Sequence, residues 1–155
     1  VANLLERPVD EITVGARFRT RGRTITETDL VNWCALTGDW QVVHTDAVYA
    51  EGSRFGQRIA PGLMVLAYAA GLGIPADSPT IVANYGTDRL RFVAPTYIGD
   101  TLHLEAEVLS IEPRRPGIDA VVKLAWNMVN QNGRPVMLSD LMILMTYASA
   151  PGEGS

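Results

Sequence analysis

The stretch PGLMVLAYAAGL, Pro61 to Leu72, decides the fold. Pro61 stands where the first turn of a helix tolerates a residue without an N–H. Everything after it to Leu72 is apolar or small, without one charge. A helix that is hydrophobic all round is a helix buried on all sides. Its Gly62, Ala67, Ala69, Ala70 and Gly71 let neighbouring backbone come close. The chain must therefore supply a wrapping for this central helix, predicted over 61–73.

The wrapping lies downstream. Residues 80–93, 100–112, 118–131 and 134–148 read as four long strands. Leu102, Leu104, Ala106 and Val108 alternate with Thr101, His103, Glu105 and Glu107, a period of two with one wet face. Val122, Leu124, Trp126 and Met128 alternate with Lys123 and Asn127 in the same way. Asn132-Gly133 is a strong hairpin signal, and Pro113 to Gly117 is predicted as a longer turn. Upstream, 16–25 reads as a strand or strand pair bent at Gly22. Thr26 precedes Asp29 by the three residues of a capping box, and Leu30, Trp33, Cys34 and Thr37 then share a helix face. Gly38 is placed to end that helix. Between Asp39 and Ala60 the pattern is mixed, with Thr45 or Asp46 capping a short helix through Glu51. Strands that do not alternate with helices disfavour a doubly wound sheet. The order predicts one α+β domain over 1–155, a curved antiparallel sheet wrapped around a central buried helix, with 38–60 as loop and short helices.

Composition narrows the function. Charged residues make up 19% of the chain, below the usual share of about 25%. Some apolar surface is therefore expected to meet a partner subunit. The net charge is −4 with no basic block, which argues against nucleic acid or an anionic membrane as partner. Cys34 stands alone and there are two histidines, so neither a disulfide framework nor a cysteine or multi-imidazole metal site is expected. The apolar run Leu63–Leu72 is half the roughly 20 residues of a membrane span. The opening VANLLERPVDE acquires charge at once, unlike a signal peptide, so a cytoplasmic location is expected. The tail SAPGEGS is expected to fray.

The stretch TGDWQVVHTD, Thr37 to Asp46, carries the chemistry. Asp39 and His44 are five apart, after a helix stop and across a short loop, so both can converge on one water. A carboxylate beside an imidazole orients the ring and favours the charged form of each. Such a pair does general acid–base work. The plainer alternative is that Asp39 caps the next turn and His44 is a satisfied, half-buried histidine. The head of the central helix is the second element. Its first N–H groups lack partners and lie at the positive dipole end, and Gly62 lets a carbonyl reach them. Gly62 serving close packing alone is the other reading. Trp40, inside the Asp39–His44 loop, is placed to touch substrate. Arg89 and Arg91 share one side of their strand, where they could meet phosphates. Arg114 and Arg115, in a hairpin, are read as ordinary surface cations, and His103 as a solvated residue on a polar strand face. Trp33, Trp126, Met64 and Tyr68 are read as core, and nothing around Cys34 suggests a nucleophile.

The stretches LTGDWQVVHTD and FGQRIAPGLMVLAYAAGL together resemble the signature of MaoC-like dehydratases and (R)-specific enoyl-CoA hydratases. The resemblance is tight over 30–73 and diffuse over the strands. It implies a hot-dog fold, with Asp39 and His44 as a catalytic pair and the Gly62 N–H as oxyanion donor. It implies reversible addition of water to a trans-2-enoyl thioester, giving the (3R)-hydroxyacyl thioester. Coenzyme A or a carrier pantetheine would enter as part of the substrate, with no other cofactor, and the chain would pair as a homodimer or higher homo-oligomer. Three positions depart from the pattern: Gln41-Val42 replaces Asn-Pro, Pro61 replaces a histidine, and Ala70 replaces a serine carried by some members. None is a proposed proton-transfer group. Two rivals stay open, a thioesterase of the same fold and a non-catalytic hot-dog subunit of a heteromeric dehydratase.

Overall fold

The computed structural model describes residues 3–148; the 149–155 tail expected to fray lies outside them. Two short 3-10 turns, Leu4–Glu6 and Val9–Glu11, precede strands β1 (Arg17–Arg19) and β2 (Arg23–Thr24). Helices α1 (Glu27–Thr37), α2 (Val42–Thr45), α3 (Ala47–Glu51) and α4 (Gly62–Gly73) follow in turn. Strands β3 (Ile81–Phe92), β4 (Thr101–Arg115), β5 (Asp119–Val129) and β6 (Pro135–Thr146) complete the chain. The sheet is antiparallel in the order β1-β4-β5-β6-β3, with β2 also on β4. It curves around α4, the hot-dog arrangement.

Sequence reasons for these elements are visible in their ends. Thr26 caps α1 in a full capping box with Asp29, and Gly38, at φ 77°, closes it with its N–H on the Cys34 carbonyl. Asp46, rather than Thr45, caps α3 by accepting from the Tyr49 N–H at 2.9 Å. Gly133, at φ 74°, turns β5 into β6, and Asn130 Oδ1 accepts from the N–H groups of Asn132 and Arg134. The turn between β4 and β5 is shorter than the sequence suggests. Strand β4 continues through Pro113, which lies opposite Ala120, to Arg115. Beyond Glu107 that strand has left β1 behind, so a residue without an N–H costs no ladder bond on the open side. Arg115 then closes the hairpin on the buried carboxylate of Asp119.

The core lies between α4 and the inner face of the sheet. Met64, Val65, Ala69 and Gly73 of α4 pack among Leu104, Trp126, Met128, Met137 and Ile143. A Cβ on Gly73 would sit 2.3 Å from both Leu104 and Trp126, so only glycine admits this approach of helix to sheet. Trp126 also meets Phe18 edge to face at 6.0 Å between ring centres. Burying side chains of this size contributes roughly 1.5–3 kcal/mol each.

Two further expectations change. Helix α4 is not covered on all sides by the described residues: Leu63 is 59% exposed, and Ala67, Ala70 and Gly71 continue an open stripe. One sheet reaches around only part of a cylinder, and the remaining apolar stripe faces outward. His103 is buried rather than solvated, at 6% exposure. Arg19 Nη2 donates to its Nδ1 at 3.3 Å, and its Nε2 lies 3.0 Å from Glu105 Oε1. The pairing of β1 with β4 brings that arginine over the ring, which strand alternation alone does not reveal.

Candidate active site

The site begins with the way His44 is held. Gly38 ends α1, the Asp39 N–H donates to Thr37 Oγ1 at 3.2 Å, and the Trp40 N–H to the Gly38 carbonyl at 3.1 Å. Helix α2 then starts at once, and the His44 N–H reaches the Gln41 carbonyl at 2.9 Å. Opposite runs the extended segment leading into α4. The Ile59 N–H bonds to the Val43 carbonyl, and the Ala60 N–H to the Thr96 carbonyl at 2.8 Å. His44 Nδ1 donates to the Ile59 carbonyl at 2.7 Å. A carbonyl only accepts, so the proton of the neutral ring sits on Nδ1 and the lone pair on Nε2. The ring is buried, yet among the described residues Nε2 has no partner, whereas every fully buried side-chain nitrogen or oxygen there has one. Nε2 therefore keeps accessible surface.

That surface belongs to a cleft of about 520 Å³, lined by His44, Gln41, Arg54, Phe55, Gly62 and Phe92 among others. Gly62 is the first residue of α4, and Pro61 before it offers no side-chain cap. Its N–H lies at the positive end of the helix without an intrahelical acceptor. A Cβ on Gly62 would come within 2.7 Å of the Phe92 ring, so the glycine makes room for both ring and ligand. Ile59, Val65, Val93, Ala94 and Val136 give the cleft its apolar lining. Arg54 brings the cleft its cation, whereas Arg58 nearby is committed to Glu27 at 2.8 Å.

Of the residues the sequence singles out, His44 and Gly62 share this cleft. Asp39 is exposed and outside its lining, with neither a hydrogen bond nor an ion pair to His44. It is close enough to Cys34 for its charge to reinforce what burial does there, pushing the thiol pKa up. Trp40, 54% exposed, does not line the cleft. Arg89 and Arg91 do face the same way, but into a separate shallow depression with Leu138 and Asp140. The sequence reading missed Gln41, Arg54, Phe55 and Phe92. The signal for Arg54 and Phe55 was available: a cation and an aromatic ring lie between the chain breaks at Gly52 and Gly56, just before α4. Phe92 carried none, since its approach to Gly62 depends on the register of β3.

One polar cluster joins the start of α1 to the middle of α4. Asp29 accepts from the Thr26 N–H at 2.8 Å, from Tyr68 Oη at 2.8 Å, and from Arg23 at 2.8 Å. Burial alone would raise its pKa, but the hydrogen bonds from Thr26 and Tyr68 and the Arg23 charge together hold it below the usual value. Burial, with Asp29 beside it, pushes the Tyr68 phenol up to about 12. Arg23 stacks over the same ring at 3.8 Å. The cluster ties the start of α1 to α4.

Residues 10–126 match the family described as the MaoC like domain. The chain is 40% identical over 95 residues to Protein MaoC of Klebsiella aerogenes, a match covering 61% of this chain but 28% of that protein. It is 30% identical over 123 residues to 3-hydroxyacyl-thioester dehydratase Z of Mycobacterium tuberculosis, covering 77% and 82% of the two chains. Its fold superposes on that of an R-hydratase from Pseudomonas aeruginosa with a TM-score of 0.75 and 30% identity, covering 97% of each chain. With more than half its length matched and the helix-in-sheet fold in common, this chain belongs to the family of MaoC-like domains.

Proposed function

We propose that the chain adds water reversibly across the double bond of a trans-2-enoyl thioester to give the (3R)-hydroxyacyl thioester. The observation that carries the reading is His44, with Nδ1 tied to the Ile59 carbonyl and Nε2 left with accessible surface in a cleft that also holds the head of α4. In this reading the thioester carbonyl lies against the Gly62 N–H, which stabilises the negative charge that gathers on oxygen. His44 Nε2 and the Asp39 carboxylate hold one water between them. One of the pair takes its proton as oxygen bonds to the β-carbon, and a proton is delivered to the α-carbon on the same face. The two groups share the proton traffic as a coupled pair. The activity uses no metal or redox group, and coenzyme A or pantetheine arrives as part of the substrate.

The acyl group would lie along the apolar wall of Val65, Phe92 and Val136. Arg54 at the polar end suits a phosphate of the thioester carrier. We further propose a homodimer that covers the open stripe of α4 and the edge of β3, where Val82, Tyr85, Phe92 and Val93 are all about half exposed. Incubating the protein with crotonyl-CoA tests the reaction. Loss of enoyl absorbance without release of free thiol is expected. Thiol release would mean a thioesterase, and inertness towards a panel of enoyl thioesters would mean a non-catalytic subunit.

A further inference from the structure

Edge strand β3 holds, in Arg89 at φ 52°, the one non-glycine residue with a left-handed backbone among those described. A side chain disfavours that conformation because its Cβ crowds the following carbonyl, so it persists only where the surroundings hold it. The register shows what it accomplishes. Asp88 lies opposite Asp140 and Arg91 opposite Leu138, so β3 takes three steps while β6 takes two. One residue is extra, and the strand bulges. Beyond the bulge Phe92 lies opposite Met137, a wholly buried residue of the helix-side face. Without it Arg91 would oppose Met137, and Phe92 would turn to the outer face, since a one-residue slip exchanges the two sides of a strand.

Phe92 is the ring that lies against Gly62 in the His44 cleft. On the other face of the sheet the Arg89 side chain grips Asp140 Oδ2, through Nε at 2.8 Å and Nη2 at 2.7 Å. The Asp140 side chain is 5% exposed, and Lys123 Nζ stands 3.4 Å away. We infer that Arg89 is a positioning residue: its left-handed backbone forms the bulge, its bond to Asp140 offsets the strain of that conformation, and the bulge delivers Phe92 to the Gly62 end of the cleft. This gives Arg89 a task on the opposite side of the sheet from the ligand. The catalytic part of the inference rests on the hydratase reading; the structural part rests on the register alone.

Glycine and asparagine take a left-handed backbone at little cost, and alanine does not. Arg89→Ala should therefore loosen residues 90–93, while Arg89→Gly and Arg89→Asn, which also lack the guanidinium, should keep them in place. The amide of Val93, bonded to the Val136 carbonyl at 3.0 Å, reports on this directly. Its hydrogen exchange should speed up about tenfold in the alanine variant and stay near the parent rate in the other two. KM for crotonyl-CoA and for its pantetheine analogue should rise together in Arg89→Ala alone. An alanine variant too unstable to purify beside native glycine and asparagine variants would also support the inference. Equal loosening in all three would overturn it, as would a KM defect common to all three and confined to the CoA substrate, the mark of a phosphate contact. Should the parent protein not hydrate enoyl thioesters, the exchange rates still decide the question.

Discussion

The ring of Phe92 occupies the space a side chain on Gly62 would need, with Cδ2 and Cε2 both 2.7 Å from where a Cβ would stand. Edge strand and central helix thus meet at the first residue of α4, on the lining of the cleft. Gly62→Ala should force the ring aside, at a stability cost of about 1–3 kcal/mol as in other overpacked sites. Enoyl hydration should fall more than binding of a saturated acyl-CoA. Adding Phe92→Leu should restore part of the thermal stability, measured by calorimetry.

Asp39 is exposed and makes no bond to His44, so its removal should leave the fold intact. Asp39→Asn and His44→Gln are each expected to lower turnover on crotonyl-CoA by about 10²–10⁴-fold, the usual scale of a general acid–base group. Unchanged circular dichroism would place the loss in chemistry. The double variant should be little worse than either single one, because groups that act as a unit are not additive. Full activity in Asp39→Asn would remove that residue from the mechanism.

The Asp29–Tyr68–Arg23 cluster makes stability depend on pH at both ends of the scale. The folded pKa of Asp29 is lowered, so the unfolded chain takes up the proton first. Its contribution is complete above the ordinary carboxylate value and drains away as pH falls through the folded pKa. Tyr68 is raised to about 12, so its contribution is complete below the ordinary phenol value and is lost as pH rises through the folded one. Tyr68→Phe should cost about 1 kcal/mol at neutral pH, the worth of one hydrogen bond. In thermal melts its deficit should shrink in strong base, and that of Asp29→Asn should shrink in acid. A deficit independent of pH would show that the cluster acts by packing alone.

Leu63, on the open stripe of α4, is 59% exposed in a helix without a charge. A second copy covering that stripe would bury it. Leu63→Glu should convert a dimer to a monomer by sedimentation at micromolar concentration, whereas Val14→Glu, at 62% exposure on a loop, should not. A parent protein that sediments as a monomer would end the homodimer proposal.

Local rules were enough for much of the molecule. The capping box at Thr26, Gly38 and the period of two through Leu102–Val108 each draw on neighbours within a few residues, and chain order carries that information. The apolar composition of Pro61–Leu72 likewise announced a helix inside a wrapping. The spacing of Asp39 and His44 marked a candidate pair, and His44 lies in the cleft. What remained hidden depended on partners far along the chain. The tautomer of His44 is set by a carbonyl fifteen residues away. The burial of His103 is set by Arg19 across β1 and β4, and the open side of α4 by how far one sheet reaches. Phe92 enters the cleft because one extra residue at a strained arginine reverses the faces of β3, which alternation alone assigns the other way. Periodicity fixes which residues share a face, but only tertiary pairing fixes which face looks inward, because a slip of one residue changes no local preference and exchanges every contact.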